Sequence, residues 1–304
     1  MMKATKRLAL AVVVAAGLLE MRTRVASASP APDANSVLIL ADTVVGGSTS
    51  LEAITAAGLG FTVDVATAAD WAAKSTADFA TYKAIILGDP ICGNVASLAA
   101  AAANTAVWGP AVTGNVILIG TDPTYHTDNG NNSAGADKLV NTGIGYSAAD
   151  PGRTGAYIAL SCYYGGAPAG TPVPVLNAFS VGGFTVDGEA DRLCFNDTHI
   201  VATHPALTGL TDADLSNWSC SVHETFDTWP NTFLVLAIAE NLGAAFHASD
   251  GVVGTPYILA RGTDLRPITR GAAAPTLSAG AIAFLATGMF MMGLRSLRKA
   301  ASRR

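Results

Sequence analysis

The chain has 304 residues, 50% of them hydrophobic and 13% charged, which suffices for one large α/β domain or two small ones. Its formal net charge is -5, and the basic residues gather at the two ends, so the interior is more acidic than the total suggests. That interior has no basic stripe to meet phosphates, which excludes nucleic acid as a partner.

Residues 1–28 read as a secretory signal. Lys3, Lys6 and Arg7 form a positive start, Leu8 to Leu19 an apolar run, and Ala26-Ser27-Ala28 a small-residue cleavage site. The body follows. Ser36 to Ala41 is expected as a buried strand, and a Ser or Thr of the Gly46 to Ser50 loop caps a helix over Leu51 to Ala57. Phe61 to Ala66 is a second strand, Ala69 to Lys74 a short helix, Tyr82 to Leu87 a third strand, and Val95 to Ala103 an Ala-rich helix. Val116 to Ile119 is an unbroken apolar run that reads as a central strand of a parallel sheet, buried on both faces. This alternation predicts a doubly wound, flavodoxin-like α/β sheet with helices on both faces.

Thr127 to Asn132 is expected as a polar turn, since it lacks the spacing and terminal Glu of a calcium loop. A helix is expected over Gly135 to Thr142 and a fifth strand over Tyr157 to Tyr164. The second half is less regular and β-rich: extended pieces at Ala178 to Val186 and Asp197 to Ala202, a turn at His204 to Leu210, and strands at Phe233 to Ala239 and Thr255 to Ala260. A linker then leads to residues 275–304, where the apolar run Ala279 to Leu294 is followed by Arg295, Arg298, Lys299, Arg303 and Arg304. This tail resembles the bacterial C-terminal sorting signals of the PEP-CTERM and IPTL-CTERM type. The resemblance implies export, retention at the membrane through the C-terminal helix, and cleavage by a sorting protease at the cell surface.

Four cysteines, Cys92, Cys162, Cys194 and Cys220, allow three disulfide pairings in an exported body, of which Cys194 with Cys220 is favoured. No Gly-x-Gly-x-x-Gly or Walker motif occurs, so no nucleotide cofactor is expected, and the absence of Cys-x-x-Cys argues against a zinc ribbon.

The order strand, helix, strand, helix, then Tyr-Lys-Ala-Ile-Ile-Leu-Gly-Asp and Gly-Asn-Val-Ile-Leu-Ile-Gly-Thr-Asp, resembles the class I glutamine amidotransferase-like fold over residues 36–262. His204-Pro205 with Gly209-Leu210, followed by Val235-Leu236-Ala237, is similar to its trehalose-utilisation (ThuA-like) branch. The resemblance implies a nucleophilic Cys in a Gly-x-Cys-x-Gly turn and a His-x-Glu pair. Here the turn reads Gly120-Thr121-Asp122-Pro123-Thr124, and His223 and Glu224 are adjacent. A glutaminase is therefore not expected.

Three groups remain as candidates. Asp42, Asp89 and Asp122 each end a parallel strand, where ligands of open α/β sheets bind, and such a carboxylate trio suits a cation or a hydroxyl-rich ligand such as a carbohydrate. A helix or loop cap is the equal alternative for each. His199, His204 and His223, near Asp197 and Glu224, form the densest imidazole and carboxylate group, suited to a divalent metal. His204 before Pro205 can equally fix a turn. Cys92 is a candidate nucleophile with His126 as its base, against a structural thiol or disulfide. Three functions follow: a noncatalytic amidotransferase-like domain at the cell surface that binds a ligand or surface protein, a metal- or carboxylate-dependent hydrolase of surface glycans using Asp122, His126 and the group from His199 to Glu224, or a structural envelope component.

Overall fold

A computed structural model describes residues 35–89, 94–129, 132–189 and 195–262. The signal segment, the linker from residue 263, the C-terminal tail, Cys92 and Cys194 lie outside the described residues. Among the described residues no helix is long and apolar enough to cross a membrane.

The first strands form where apolar, β-branched runs are longest. β1 (Ser36–Leu40), β2 (Thr62–Ala66), β3 (Ala84–Leu87), β4 (Val112–Ile119) and β5 (Thr154–Ala159) lie parallel in the order β2-β1-β3-β5-β4. Helix α1 (Leu51–Gly58) links the first two, and Ser50 caps it by accepting a hydrogen bond from the Ala53 amide at 3.2 Å. The short helices α2 (Ala68–Ala73) and α3 (Thr76–Phe79) carry reciprocal capping boxes, Thr67 with Asp70 and Ser75 with Asp78. Helices α4 (Ala99–Ala103) and α5 (Thr105–Trp108) then lead into β4.

The sheet is mixed rather than wholly parallel. β12 (Val253–Arg261) pairs antiparallel with β4, β10 (Leu234–Glu240) antiparallel with β12, and β8 (Thr198–Ile200) closes the edge beside β10. The short β11 (Phe246–His247) pairs with β12. The expectation that Val116 to Ile119 has parallel neighbours on both sides is thus corrected. β4 is parallel to β5 on one side and antiparallel to β12 on the other, because β10 and β12 return as a hairpin instead of through a helical crossover. Continuous apolar strands buried on both faces read alike in either direction. A second, antiparallel sheet of β6 (Thr171–Pro172), β7 (Thr185–Asp187) and β9 (Thr225–Thr228) makes up much of the irregular second half.

Alternate strand residues feed two cores. Leu38, Leu40, Val116, Leu118 and Ile158 face Trp71 of α2, Phe79 of α3, Trp108 of α5 and the second sheet through Phe184 and Phe226. Val37, Ile39, Ile117, Ile119 and Tyr157 face α1, α7 (Ser133–Ser147) and α8 (Asp212–Leu215). The exposed edge is blunted: the Ile200 amide donates to Asp212 Oδ1 at 2.7 Å, and the Thr198 amide to Ser216 Oγ at 3.1 Å.

The favoured pairing of Cys194 with Cys220 is corrected as well. Cys220 forms no disulfide, and its sulfur lies 3.6 Å from Nδ1 of His223.

Candidate metal centre

β4 ends at Ile119, and the chain turns through Gly120, Thr121 and Asp122 into α6 (Pro123–Asn129). The turn is pinned on both sides. The Gly120 amide donates to the Tyr257 carbonyl at 2.7 Å, and the Gly120 carbonyl accepts from the amides of His223 and Glu224 at 3.2 and 3.1 Å. Only glycine fits there, because a Cβ would collide with the Glu224 carbonyl oxygen. Backbone contact between two distant segments thereby sets His223 over the end of β4.

Pro123 opens α6 with a fixed φ and no amide to leave unpaired. One helical turn then sets His126 four residues after Asp122, on the same face. The polar turn expected from Thr127 is instead, up to Asn129, the end of this helix. Three side chains converge. Nε2 of His126 lies 3.0 Å, and Nε2 of His223 2.9 Å, from Oδ1 of Asp122, and all three residues are buried. The imidazoles are nearly parallel, 21° between planes with centroids 6.0 Å apart, and Trp218 tilts against His126 at 5.7 Å.

The directions matter as much as the distances. Despite their short approach to Asp122, neither Nε2 makes a hydrogen bond of acceptable geometry. The three ligand atoms lie within 4.8 Å of one another. Zinc bound at about 2.0–2.2 Å by nitrogen and oxygen holds neighbouring ligand atoms about 3.3 Å apart in a tetrahedron, against 3.0 and 2.9 Å from Oδ1 of Asp122 to the two Nε2 atoms here. Two imidazoles and one carboxylate leave a position open for water. Burial opposes a charge on Asp122, but the two imidazoles beside it prevail and hold its carboxyl below the usual aspartate range.

Further buried acids surround the triad. Glu224, Asp89 and Glu52 are all fully buried. Desolvation pushes the Glu224 carboxyl well up, with the Asp122 charge adding to the effect. Desolvation also drives Asp89 well above its ordinary value, helped by Glu52 and Asp122, and raises Glu52. Glu52 on α1 was not singled out by sequence, since a Glu in a first helical turn reads as a dipole partner. A signal did exist: it lies on the first α-helix after β1.

The remaining candidates divide as follows. Asp42 is exposed on the turn after β1, unlike Asp89 and Asp122. The expected His199, His204 and His223 group is not assembled. His199 sits on β8 between Asp212 and Asp250, with 2.8 Å from each ring nitrogen to a carboxylate oxygen. His204 fixes the turn at Pro205 by accepting from the Ala206 amide at 3.2 Å, and its ring meets Tyr146. A groove lined by Ile200, Ala202, His204 and Leu210 opens beside that turn. Of the three histidines only His223 joins the cluster, and His126 replaces the other two.

Comparison with protein-family models, with curated proteins and with solved structures gave no match.

Proposed function

We propose that the chain is an exported, envelope-held metalloprotein whose Asp122, His126 and His223 bind one divalent ion of the zinc class. The observation that carries this is the convergence of two buried imidazole nitrogens and one buried carboxylate oxygen within 4.8 Å of one another. The signal-like start and the basic tail support export and surface retention, with cleavage of the tail by a sorting protease. An amidotransferase-like ancestry accounts for the crevice at the carboxyl ends of the strands, with Asp122 in the nucleophile's place.

A three-ligand site with a free position favours hydrolysis. The ion would lower the pKa of its bound water and polarise the scissile carbonyl or acetal. Among the described residues the basic side chains are engaged away from the triad, so nothing there holds an anionic group and a neutral, hydroxyl-rich surface glycan is the substrate class that fits. The second reading, a noncatalytic binding domain, is favoured by the near-complete enclosure of the triad, where His126 is 3% and His223 6% exposed.

One experiment separates them: release of reducing sugar or acyl group from neutral cell-surface polysaccharide by the zinc-loaded full chain. Activity that disappears with chelator and in His126→Ala supports the hydrolase. Stoichiometric zinc without turnover supports the binding domain.

A further inference from the structure

The chain leaves β12 on the side of the sheet remote from the triad. Ile258 pairs with Ile119, next to the turn that carries Asp122, and Arg261 pairs with Val116. β12 therefore runs away from the triad, and Gly262 emerges toward the amino ends of the parallel strands. Tyr146, near the end of α7, marks this exit. Its hydroxyl donates to the Arg261 carbonyl at 3.1 Å, and a Cβ on Gly262 would collide with the same hydroxyl. The Tyr146 ring also packs edge-on against His204, with centroids 4.9 Å apart.

His204 forms part of the groove at the Pro205 turn, whose lining is chiefly apolar: Ile200, Ala202, Pro205, Leu207 and Leu210. Its volume of about 460 Å³ is that of a cleft able to take side chains rather than of a flat contact. One tyrosine and one ring contact separate the exit from the groove wall, a gap that about four residues of extended chain cover at roughly 3.3–3.6 Å each.

The residues that follow the exit, 263–270, read Thr-Asp-Leu-Arg-Pro-Ile-Thr-Arg. Pro267 disfavours helix at Arg266, and in an extended segment of three residues per turn Leu265 and Ile268 fall on one side. The charges match too. Asp212 holds the Ile200 amide at 2.7 Å and keeps its side chain half exposed at the groove's rim, while the segment offers Arg266 and Arg270 against one acid, Asp264. A segment tethered this closely reaches the groove at an effective concentration of about millimolar, ahead of free partners.

We propose that residues 263–270 seat Leu265 and Ile268 in this groove, so that the stem grips the body at the end of the sheet remote from the triad. Held in this way, the body presents Asp122, His126 and His223 away from the envelope. Only that orientation rests on the anchored reading of the tail; the seating itself is independent of the metal.

The test uses the full chain in detergent micelles, with Leu265 or Ile268 replaced in turn by the photo-crosslinking residue benzoylphenylalanine, followed by proteolysis and peptide mass spectrometry. The expected result is a link within one chain to the peptide spanning Ile200 to Leu210, lost when the exposed groove position Thr203 is filled by Thr203→Trp. Hydrogen exchange gives an independent reading. In a Leu265→Ser, Ile268→Ser chain the amides of Leu207, Thr208 and Leu210 should exchange at least about 10-fold faster than in wild type. Links confined to detergent or to a second copy would overturn the inference. So would groove amides that exchange alike in both chains.

Discussion

The Nε2 atom of His223 stands 2.9 Å from Oδ1 of Asp122, although one residue lies in a late loop and the other at the end of β4. Backbone hydrogen bonds from the amides of His223 and Glu224 to the Gly120 carbonyl set this relation, so the side chains meet because the main chains already do. The ligand geometry is therefore part of the fold rather than something metal has to assemble, which lowers the ordering cost of binding.

Removing a direct ligand should cost more than removing a supporting group, which typically costs about 10–100-fold in metal affinity. His126→Ala and His223→Ala are each expected to weaken zinc by more than about 100-fold, as measured by competition with a chromophoric chelator. Cys220→Ala removes a sulfur 3.6 Å from Nδ1 of His223 and should fall within about the 10–100-fold range or below it.

Gly120→Ala tests the seat itself. The added methyl meets the Glu224 carbonyl, which is backbone and has no rotamer to escape into. Overpacking of this kind costs about 1–3 kcal/mol, so urea denaturation should show a loss in that range together with weakened metal binding. An unchanged midpoint would mean that the two segments are not held together here.

His199 gives a pH dependence. Partial burial disfavours its charge, but hydrogen bonds and charges from Asp212 and Asp250 outweigh this and raise its pKa above the ordinary value of 6.5. A raised histidine stabilises the fold fully below its unfolded pKa and loses that stabilisation as pH rises through the folded value. Melting temperature should thus fall as pH rises above about 6.5, more weakly at high salt, and His199→Gln should flatten the slope.

Asp89 works in the opposite chemical sense. Its folded pKa is well above the usual 3.8, so in metal-free protein its contribution is greatest at low pH and declines as pH rises toward the folded value. Asp89→Asn should raise the melting temperature of the stripped protein near neutral pH. Calorimetry of the two stripped proteins across pH checks this.

Much of the framework was legible, for reasons that also explain the gaps. Ser36 to Leu40, Ala84 to Leu87 and Val116 to Ile119 are apolar runs too short for helices and bounded by turn residues, and all three are strands. The antiparallel direction of β10 and β12 was hidden, because burial on both faces erases the alternation that distinguishes them. Asp122 and His126 were visible as residues but not as a pair. Read as the sharp turn after a strand, Gly-Thr-Asp-Pro-Thr conceals that Pro at a first helical position puts Asp122 and His126 one turn apart. His223 comes from a loop, where no periodicity relates a residue to a distant strand end, so its partnership required the three-dimensional contact at Gly120.

The central claim, that Asp122, His126 and His223 hold a divalent ion, is tested most directly by elemental analysis of the natively purified full chain beside His126→Ala and His223→Ala. About one zinc-class ion per wild-type chain, absent from both variants, is the expected result. Wild-type protein that carries no such ion and takes up none from added zinc would contradict it.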